Sequence, residues 1–188
     1  MKKYLVVVDM QKDFVDGALG TKEAEAIVPA VLEKVKAFDG EVIFTKDTHF
    51  ENYPETSEGK LLPVEHCIKG TEGWMLVDEL EKFRSENGCR VYEKLTFGCK
   101  ELAADMYAEL LKMRMNAEGT ESDVAERNIS IELIGLCTDI CVVSNALLLK
   151  AFFPEAELKV DASCCAGVTP EKHEAALETM RSCQIMVV

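Results

Sequence analysis

Short runs of apolar, β-branched residues alternate along this chain with longer stretches of helical spacing, and this alternation limits the fold more than any other feature. The strand-like runs are almost continuously apolar, which is typical of a parallel sheet buried on both faces. Right-handed crossovers then predict a doubly wound, Rossmann-like α/β fold with a mainly parallel six-stranded sheet and helices on both faces. The predicted strands are Tyr4–Val8, Glu41–Thr45, Arg90–Glu93, Ile129–Leu136, Leu158–Asp161 and Gln184–Val188. The predicted helices are Glu23–Phe38, Leu76–Ser85, Lys100–Met115, Asp139–Phe152 and Pro170–Ser182.

The size and charge of the chain narrow the classes of function. Its 188 residues fit one domain, predicted to span residues 1–188. It carries 21 Lys and Arg residues against 34 Asp and Glu residues, a net charge of −13. Such a surface repels phosphate backbones and anionic lipid, so neither nucleic acid nor a membrane is an expected partner. A small uncharged molecule meets no such repulsion.

The sequence also predicts a cytoplasmic location. No segment approaches the roughly 20 apolar residues that span a bilayer. The five apolar residues that precede Asp9 are typical of a strand and not of a signal peptide. The eight cysteines lack the short, loop-rich spacing of secreted disulfide scaffolds. Most of these thiols are therefore predicted to be small core hydrophobes in a reducing compartment.

Two connections interrupt the alternation of strands and helices. Lys46–Trp74 is long and rich in Thr, Glu, Pro and His, and a loop of this length inside a compact domain usually carries function. Asn116–Arg127 is acidic and polar, and we expect it to be a solvated excursion before the fourth strand.

Three chemically reactive residues, Asp9, Lys94 and Cys141, lie where predicted strands end. Ligand sites of doubly wound folds lie beyond the carboxyl ends of the strands, so we expect these side chains to converge. Each residue alone has a simpler interpretation: Asp9 as a strand cap, Lys94 as a solvated lysine and Cys141 as a buried structural cysteine. Together they can form a charge pair beside a nucleophile, which satisfies both charges.

Cys141 is better placed for chemistry than the other cysteines. It lies in the first turn of a predicted helix that begins near Thr138 and Asp139, where free amides and the helix dipole favour a thiolate. A neighbouring ammonium would favour the thiolate further. Structural roles are predicted for Cys67, Cys89, Cys99, Cys164, Cys165 and Cys183.

Around these residues the sequence resembles the isochorismatase-like cysteine hydrolase family, and within that family it is most similar to the nicotinamidases. Single matches such as Val8–Gln11 are short, but the segments follow one another in the family's order over nearly the whole chain. The matching segments are Leu5–Phe14, Asp47–His49, His66–Gly73, Glu93–Gly98, Gly135–Val142 and Asp161–Gly167.

The resemblance implies a covalent mechanism. Asp9 would act as general base, Lys94 would hold the charges of its two partners, and Cys141 would attack an amide carbonyl to give a thioester and ammonia. The family builds its oxyanion hole from two backbone amides, which here would be those of Cys137 and Cys141. It also places a cis peptide just before that hole, at Leu136–Cys137.

A metal site is also implied by the resemblance. Asp47, His49 and His66 match the three protein ligands of nicotinamidases, and such ligands suit one divalent ion, with zinc first and iron or manganese as alternatives. Glu58 lies between the histidines in sequence and is either a fourth ligand or a solvated carboxylate. His173 lies on a charged helix face and is predicted to be a surface residue.

The resemblance implies that the substrate is nicotinamide, which would be hydrolysed to nicotinate as a step of NAD salvage. Nicotinamidases tend to place a bulky aromatic residue just before the metal-binding histidine. This sequence lacks one there, so Phe14 and Phe97 are the candidate ring contacts, and Leu62 is expected to fill the space that the aromatic side chain would occupy. Ordinary core packing is the alternative for both phenylalanines.

Two other functions stay open at this point. One is a related amidohydrolase of the N-carbamoyl or ureidoacrylate type, which uses the same triad without a metal. The other is a non-catalytic metal-binding module on this fold, which would leave the Asp9–Lys94 pair without a use. Family members are often oligomers, so a homo-oligomer is expected from the resemblance alone.

Overall fold

A computed structural model describes residues 1–116 and 122–188 of the chain. Its centre is a six-stranded sheet in the order β3-β2-β1-β4-β5-β6, and all five strand pairs are parallel. The strands are β1 (Lys2–Val8), β2 (Glu41–Asp47), β3 (Arg90–Lys94), β4 (Ile129–Leu136), β5 (Glu157–Ala166) and β6 (Met186–Val187). The predicted fold class is confirmed, and the strand order reverses between β1 and β4, the point at which doubly wound folds bind ligands.

Helices cover both faces of the sheet. They are α1 (Lys12–Val15), α2 (Lys22–Ala37), α3 (Ser57–Leu61), α4 (Asp78–Glu86), α5 (Lys100–Asn116), α6 (Ser122–Arg127), α7 (Val143–Phe152) and α8 (Pro170–Ser182). Alternate residues of β1 belong to two separate cores: Val6 packs with α5, α7 and α8, and Val7 packs with α1, α2 and α4. The period of two along a strand sends neighbouring side chains to opposite faces, which explains why β1 is apolar without interruption.

The observed elements extend the predicted ones at the edge that matters for the site. Parallel pairing of β2 with β3 continues to Asp47 and Lys94, so both strands end on a charged residue. β5 is longer than predicted and β6 is shorter. The long Lys46–Trp74 connection contains α3 and a 3₁₀ turn at Tyr53–Glu55.

The described residues of the second predicted excursion, Asn116–Arg127, are helical and not loop. Its last six residues form α6, Asn116 ends α5, and residues 117–121 lie outside the described part of the chain. Among the helices of the described ranges, none has the length and apolar character that crossing a membrane requires.

Candidate active site

Four strand ends deliver the reactive side chains to one place. Asp9 follows β1, Asp47 ends β2, Lys94 ends β3, and Cys141 lies in the turn that follows β4. The Lys94 ammonium lies 2.6 Å from Asp9 Oδ2, 3.3 Å from Asp47 Oδ1 and 3.4 Å from Cys141 Sγ. The lysine therefore reaches across the ends of β2 and β1 to the thiol, and the structure brings together the three residues predicted to form the triad.

Asp9 is held by a residue that the sequence did not single out. The Thr45 hydroxyl donates a hydrogen bond of 2.7 Å to Asp9 Oδ1 and accepts one of 3.3 Å from the Asp9 amide. The Asp9 backbone has φ 47°, a left-handed conformation that Asp adopts more readily than most residues. Thr45 thus fixes both the backbone and the carboxylate of a residue at a strained position.

The three groups of the triad are buried, with Asp9 and Lys94 at 0% exposure and Cys141 at 4%. Burial raises the pKa of the Cys141 thiol well above its ordinary value, and the Asp9 carboxylate raises it further, although the Lys94 charge opposes both. Burial likewise raises the pKa of Asp9, against the opposing charge of Lys94. For Lys94 the balance differs: burial lowers its pKa, but Asp9, Cys141 and Asp47 together raise it well above the usual value.

These directions add an effect on the Cys141 pKa that the sequence alone does not reveal. The helix start and the ammonium favour a thiolate, whereas burial and the neighbouring Asp9 carboxylate shift the pKa of the Cys141 thiol upward, which favours the protonated thiol. A carboxylate whose pKa is raised is also a stronger base than one in water. The role of Asp9 as general base stays a prediction.

The turn that carries Cys141 is wider than an ordinary α-helical turn. Thr138–Val142 forms a π-helical turn that continues directly into α7. The Cys137 carbonyl accepts hydrogen bonds of 3.0 Å from the amides of Ile140 and Val142. The assignment of the Cys137 and Cys141 amides as an oxyanion hole stays a prediction.

One expectation about this turn is wrong. Every peptide bond within residues 1–116 and 122–188 is trans, including Leu136–Cys137. The unusual backbone just before this turn is that of Gly135, within β4, which has φ 113° and lies at a register shift between β4 and β5. A Cβ atom at Gly135 would lie 2.1 Å from the Val8 carbonyl oxygen, so only glycine fits.

A second group of ligand-type side chains lies beside the triad. One atom each of Asp47, His49, Glu58 and His66 can be chosen so that all four lie within 4.8 Å of one another. His49 Nε2 lies 2.9 Å from Asp47 Oδ2, and His66 Nε2 lies 3.6 Å from the same oxygen. Glu58 Oε1 is 3.7 Å from His49 Nε2 and 3.8 Å from His66 Nε2. Four such atoms around one centre match the donor set of a divalent ion.

Two observations test whether this group fits a cation. His49 Nε2 is buried and has no hydrogen-bond partner of acceptable geometry among the described residues, although Asp47 Oδ2 is 2.9 Å away. Burial raises the pKa of Glu58, and the charge of Asp47 raises it further, which is the effect that a bound cation would offset. The residues present therefore fit a divalent metal ion, and Glu58 belongs with the three predicted ligands by position.

The surrounding structure orients these ligands. Gln11 holds the backbone of Asp47 at both polar groups, donating to its carbonyl at 2.9 Å and accepting from its amide at 2.7 Å. His66 Nδ1 lies 2.8 Å from the Val64 carbonyl, which leaves its Nε2 free to face the group. The Tyr53 ring packs edge-on against both histidines. Such outer contacts fix ring orientation in metal sites.

The three predicted ring contacts differ in their surroundings. Phe14 is 8% exposed, and its ring centre lies 5.4 Å from that of His66. Leu62 is 36% exposed, and its carbonyl accepts a hydrogen bond from the Tyr53 hydroxyl. Phe97 is 44% exposed, in the loop that follows Lys94. Their contact with a substrate stays a prediction.

His173 is not the free surface residue that its charged helix face indicated. Its Nδ1 lies 2.8 Å from the Thr138 hydroxyl, so it ties α8 to the turn that carries Cys141. Asp139 Oδ1 adds a second tie by accepting from the Val168 amide at 2.9 Å. Both contacts join residues far apart in sequence, which the spacing of the helix alone could not reveal.

Comparisons with known proteins agree with this fold. Residues 3–188 match the Isochorismatase domain family. A Bacillus subtilis (strain 168) protein described as an uncharacterized isochorismatase family protein, PncA, is 33% identical over 187 residues, covering 94% of this chain and 93% of the relative. The crystal structure of nicotinamidase/pyrazinamidase PncA from Bacillus subtilis is similar over 100% of both chains, with a TM-score of 0.76 and 28% identity. That of Pyrococcus horikoshii pyrazinamidase in complex with zinc covers 100% of this chain and 99% of its own, with a TM-score of 0.70 and 25% identity.

The chain therefore belongs to the isochorismatase family. Within that family its structural neighbours include nicotinamidases and pyrazinamidases, and the chain is a hydrolase that acts on amides. The zinc complex of one neighbour and the group formed by Asp47, His49, Glu58 and His66 point to a divalent metal ion in this chain as well.

Proposed function

We propose that this protein is a nicotinamidase, which hydrolyses nicotinamide to nicotinate and ammonia and also accepts pyrazinamide. The observation that carries the proposal is the position of Asp47. Its Oδ1 lies 3.3 Å from the Lys94 ammonium, and its Oδ2 lies 2.9 Å from His49 Nε2, so one carboxylate joins the triad to the ligand group. A substrate with a carboxamide and a ring nitrogen a few bonds apart could engage both groups at once.

The proposed reaction starts from the neutral thiol. Asp9 accepts the Cys141 proton as the sulfur attacks the carboxamide carbon, and Lys94 stabilises the charges that this transfer creates. The tetrahedral intermediate collapses when the C–N bond breaks, and Asp9 returns the proton to the leaving amine, so ammonia departs and a thioester remains. Asp9 then takes a proton from water, whose oxygen attacks the thioester, and the released thiol regains the proton.

The ligand group has a separate role in this proposal. A divalent ion, with zinc the proposed metal, would be held by Asp47, His49, Glu58 and His66 and would supply a Lewis-acid position for the ring nitrogen of the substrate. Phe14 is positioned to pack on the pyridine ring because it already lies against His66. The triad residues keep the bond-breaking chemistry, since none of them belongs to the ligand group.

The proposal is tested by ammonia release across a panel of amides. Nicotinamide, pyrazinamide, ureidoacrylate and N-carbamoyl amino acids are compared in chelator-treated protein, with and without added zinc, iron or manganese. We expect turnover of the two ring amides that depends on added metal. Metal-independent turnover of a carbamoyl or ureido substrate would instead assign the protein to the amidohydrolases that use the triad alone.

A further inference from the structure

The loop that follows Lys94 has to cross much of the sheet to reach the nucleophile. β3 and β4 are separated by β2 and β1, which at the usual strand spacing is about 14 Å. The β3–α5 loop, residues 95–99, nevertheless lies against the helix that continues from the Cys141 turn. Something other than strand pairing must hold it there, and the structure assigns that contact to Asn145.

Asn145 lies in α7 and is almost completely buried. Its Oδ1 accepts a hydrogen bond of 2.8 Å from the Cys99 amide. Its Nδ2 donates to the Phe97 carbonyl at 3.1 Å and to the Cys141 carbonyl at 2.8 Å. Both side-chain N–H groups are therefore used, and one amide connects the loop at two points to the turn that carries the nucleophile.

This side chain is not explained by the helix in which it lies. Asn is a weak helix former, and a buried amide is costly unless its polar atoms are satisfied. Two of its three partners belong to the β3–α5 loop, so the gain of burying Asn145 comes from anchoring that loop.

Gly98 gives independent evidence that the loop is docked on α7. A Cβ atom at this position would lie 3.3 Å from the Ser144 carbonyl oxygen and 3.4 Å from Leu148 Cδ2. The loop backbone thus lies so close to the helix that a Cβ atom at this position would make a tight contact. The anchored segment also contains Phe97, whose side chain stays partly exposed while its carbonyl is held.

We propose that Asn145 is a positioning residue that fixes Phe97 against the ring of the substrate by holding the loop backbone on α7. The inference rests on the proposed function, because Phe97 has a ring to contact only if the substrate carries one. Lys94 depends less on this anchor, since it has its own ion pairs with Asp9 and Asp47. Loss of Asn145 should therefore weaken substrate binding more than it slows the chemical steps.

The test is a double-mutant cycle between Asn145→Leu and Phe97→Ala, read as kcat and KM for nicotinamide. We expect each single change to raise KM about tenfold, the size expected for losing a modest apolar contact, with kcat changed much less. Because Asn145 acts through Phe97, the double variant should be no worse than Phe97→Ala alone. Gly98→Ala is the second variant, for use if Asn145→Leu fails to fold. Its Cβ atom makes a tight contact with α7 and leaves Asn145 unchanged, so we expect it to shift the loop and raise KM as well.

Leu149→Ala is the matched control for lost stability. It removes a buried side chain from the same helix, one turn further on, and should lower Tm without raising KM. Its effect should add to that of Phe97→Ala. Hydrogen exchange without substrate gives a second readout, in which the Cys99 amide should lose protection in Asn145→Leu and keep it in Leu149→Ala.

The outcomes separate the inference from the proposed function. If the wild-type protein cleaves no ring-bearing amide, the proposed function fails and takes the inference with it. If nicotinamide is cleaved but Asn145→Leu and Phe97→Ala act additively, or the Cys99 amide stays protected, the inference alone is overturned and Asn145 is a structural residue of α7.

Discussion

Replacing Thr45 by Val tests how the structure prepares Asp9 to act as a base. Valine keeps the shape of the side chain but removes the hydroxyl that donates to Asp9 Oδ1 at 2.7 Å. That hydrogen bond stabilises the ionised carboxylate and not the protonated acid. Its loss therefore raises the pKa of Asp9 above its already raised value.

The size of this effect follows from the burial of the contact. A hydrogen bond to a charged group contributes about 1.5–3 kcal/mol, and about 1.4 kcal/mol corresponds to one pKa unit. Taking the lower figure, the acid limb of kcat/KM should move up by about one pH unit in Thr45→Val. At a pH below the acid limbs of both proteins, kcat/KM of Thr45→Val should then be about tenfold lower than that of the wild-type protein.

The assay is the pH dependence of kcat/KM for nicotinamide, recorded with Tm for each variant. Thr45→Ser is the matched control, because serine keeps the hydroxyl and should leave the acid limb in place. The reasoning is refuted if Thr45→Val folds normally and its acid limb coincides with that of the wild-type protein. A shift of equal size in Thr45→Ser would refute it too.

Three further substitutions probe the remaining parts of the site. Cys141→Ala should abolish turnover while leaving Tm within a few degrees of wild type, and turnover above a few per cent would remove Cys141 as the nucleophile. Glu58→Gln should weaken zinc binding by at least about tenfold in a calorimetric titration of chelator-treated protein, because it removes one ligand charge; Glu55→Gln, exposed in the same loop, should bind zinc normally, and equal affinities would place Glu58 outside the site. Lys94→Met should lower the free energy of unfolding by about 3–5 kcal/mol in denaturant titrations, because it leaves the buried Asp9 without its cation; wild-type stability would contradict the close ion pair.

The sequence was sufficient for the fold and for the positions of the reactive residues, for a physical reason. Uninterrupted apolar strands are typical of parallel sheets that are buried on both faces, and consecutive parallel strands end at the same edge. Asp9, Lys94 and Cys141 each end or follow such a strand, so the order of the elements predicts that these residues converge. The short helices in the Lys46–Trp74 connection were missed because five-residue segments carry too little periodicity to be recognised.

The residues that brace the site could not be found in the same way. Thr45 and Asn145 lie in an ordinary strand and helix pattern and Gln11 lies between β1 and α1, and their importance comes from partners 36 or more residues away. The upward shift of the Cys141 pKa could not be foreseen for a related reason. Helix dipoles are visible in a sequence, whereas full burial beside Asp9 appears only when the chain is folded.

Asp47 divides its two oxygens between Lys94 and His49, and this division has a thermodynamic consequence. An ion bound by the histidines draws electron density from the carboxylate that also stabilises the ammonium. Metal occupancy and the ion pairs of Lys94 are therefore energetically coupled, and such coupling is reciprocal. If a bound ion changes the affinity of the triad for a ligand by some factor, the ligand must change the affinity of the site for the ion by the same factor. The coupling can therefore be measured either as metal-dependent ligand binding or as ligand-dependent metal binding.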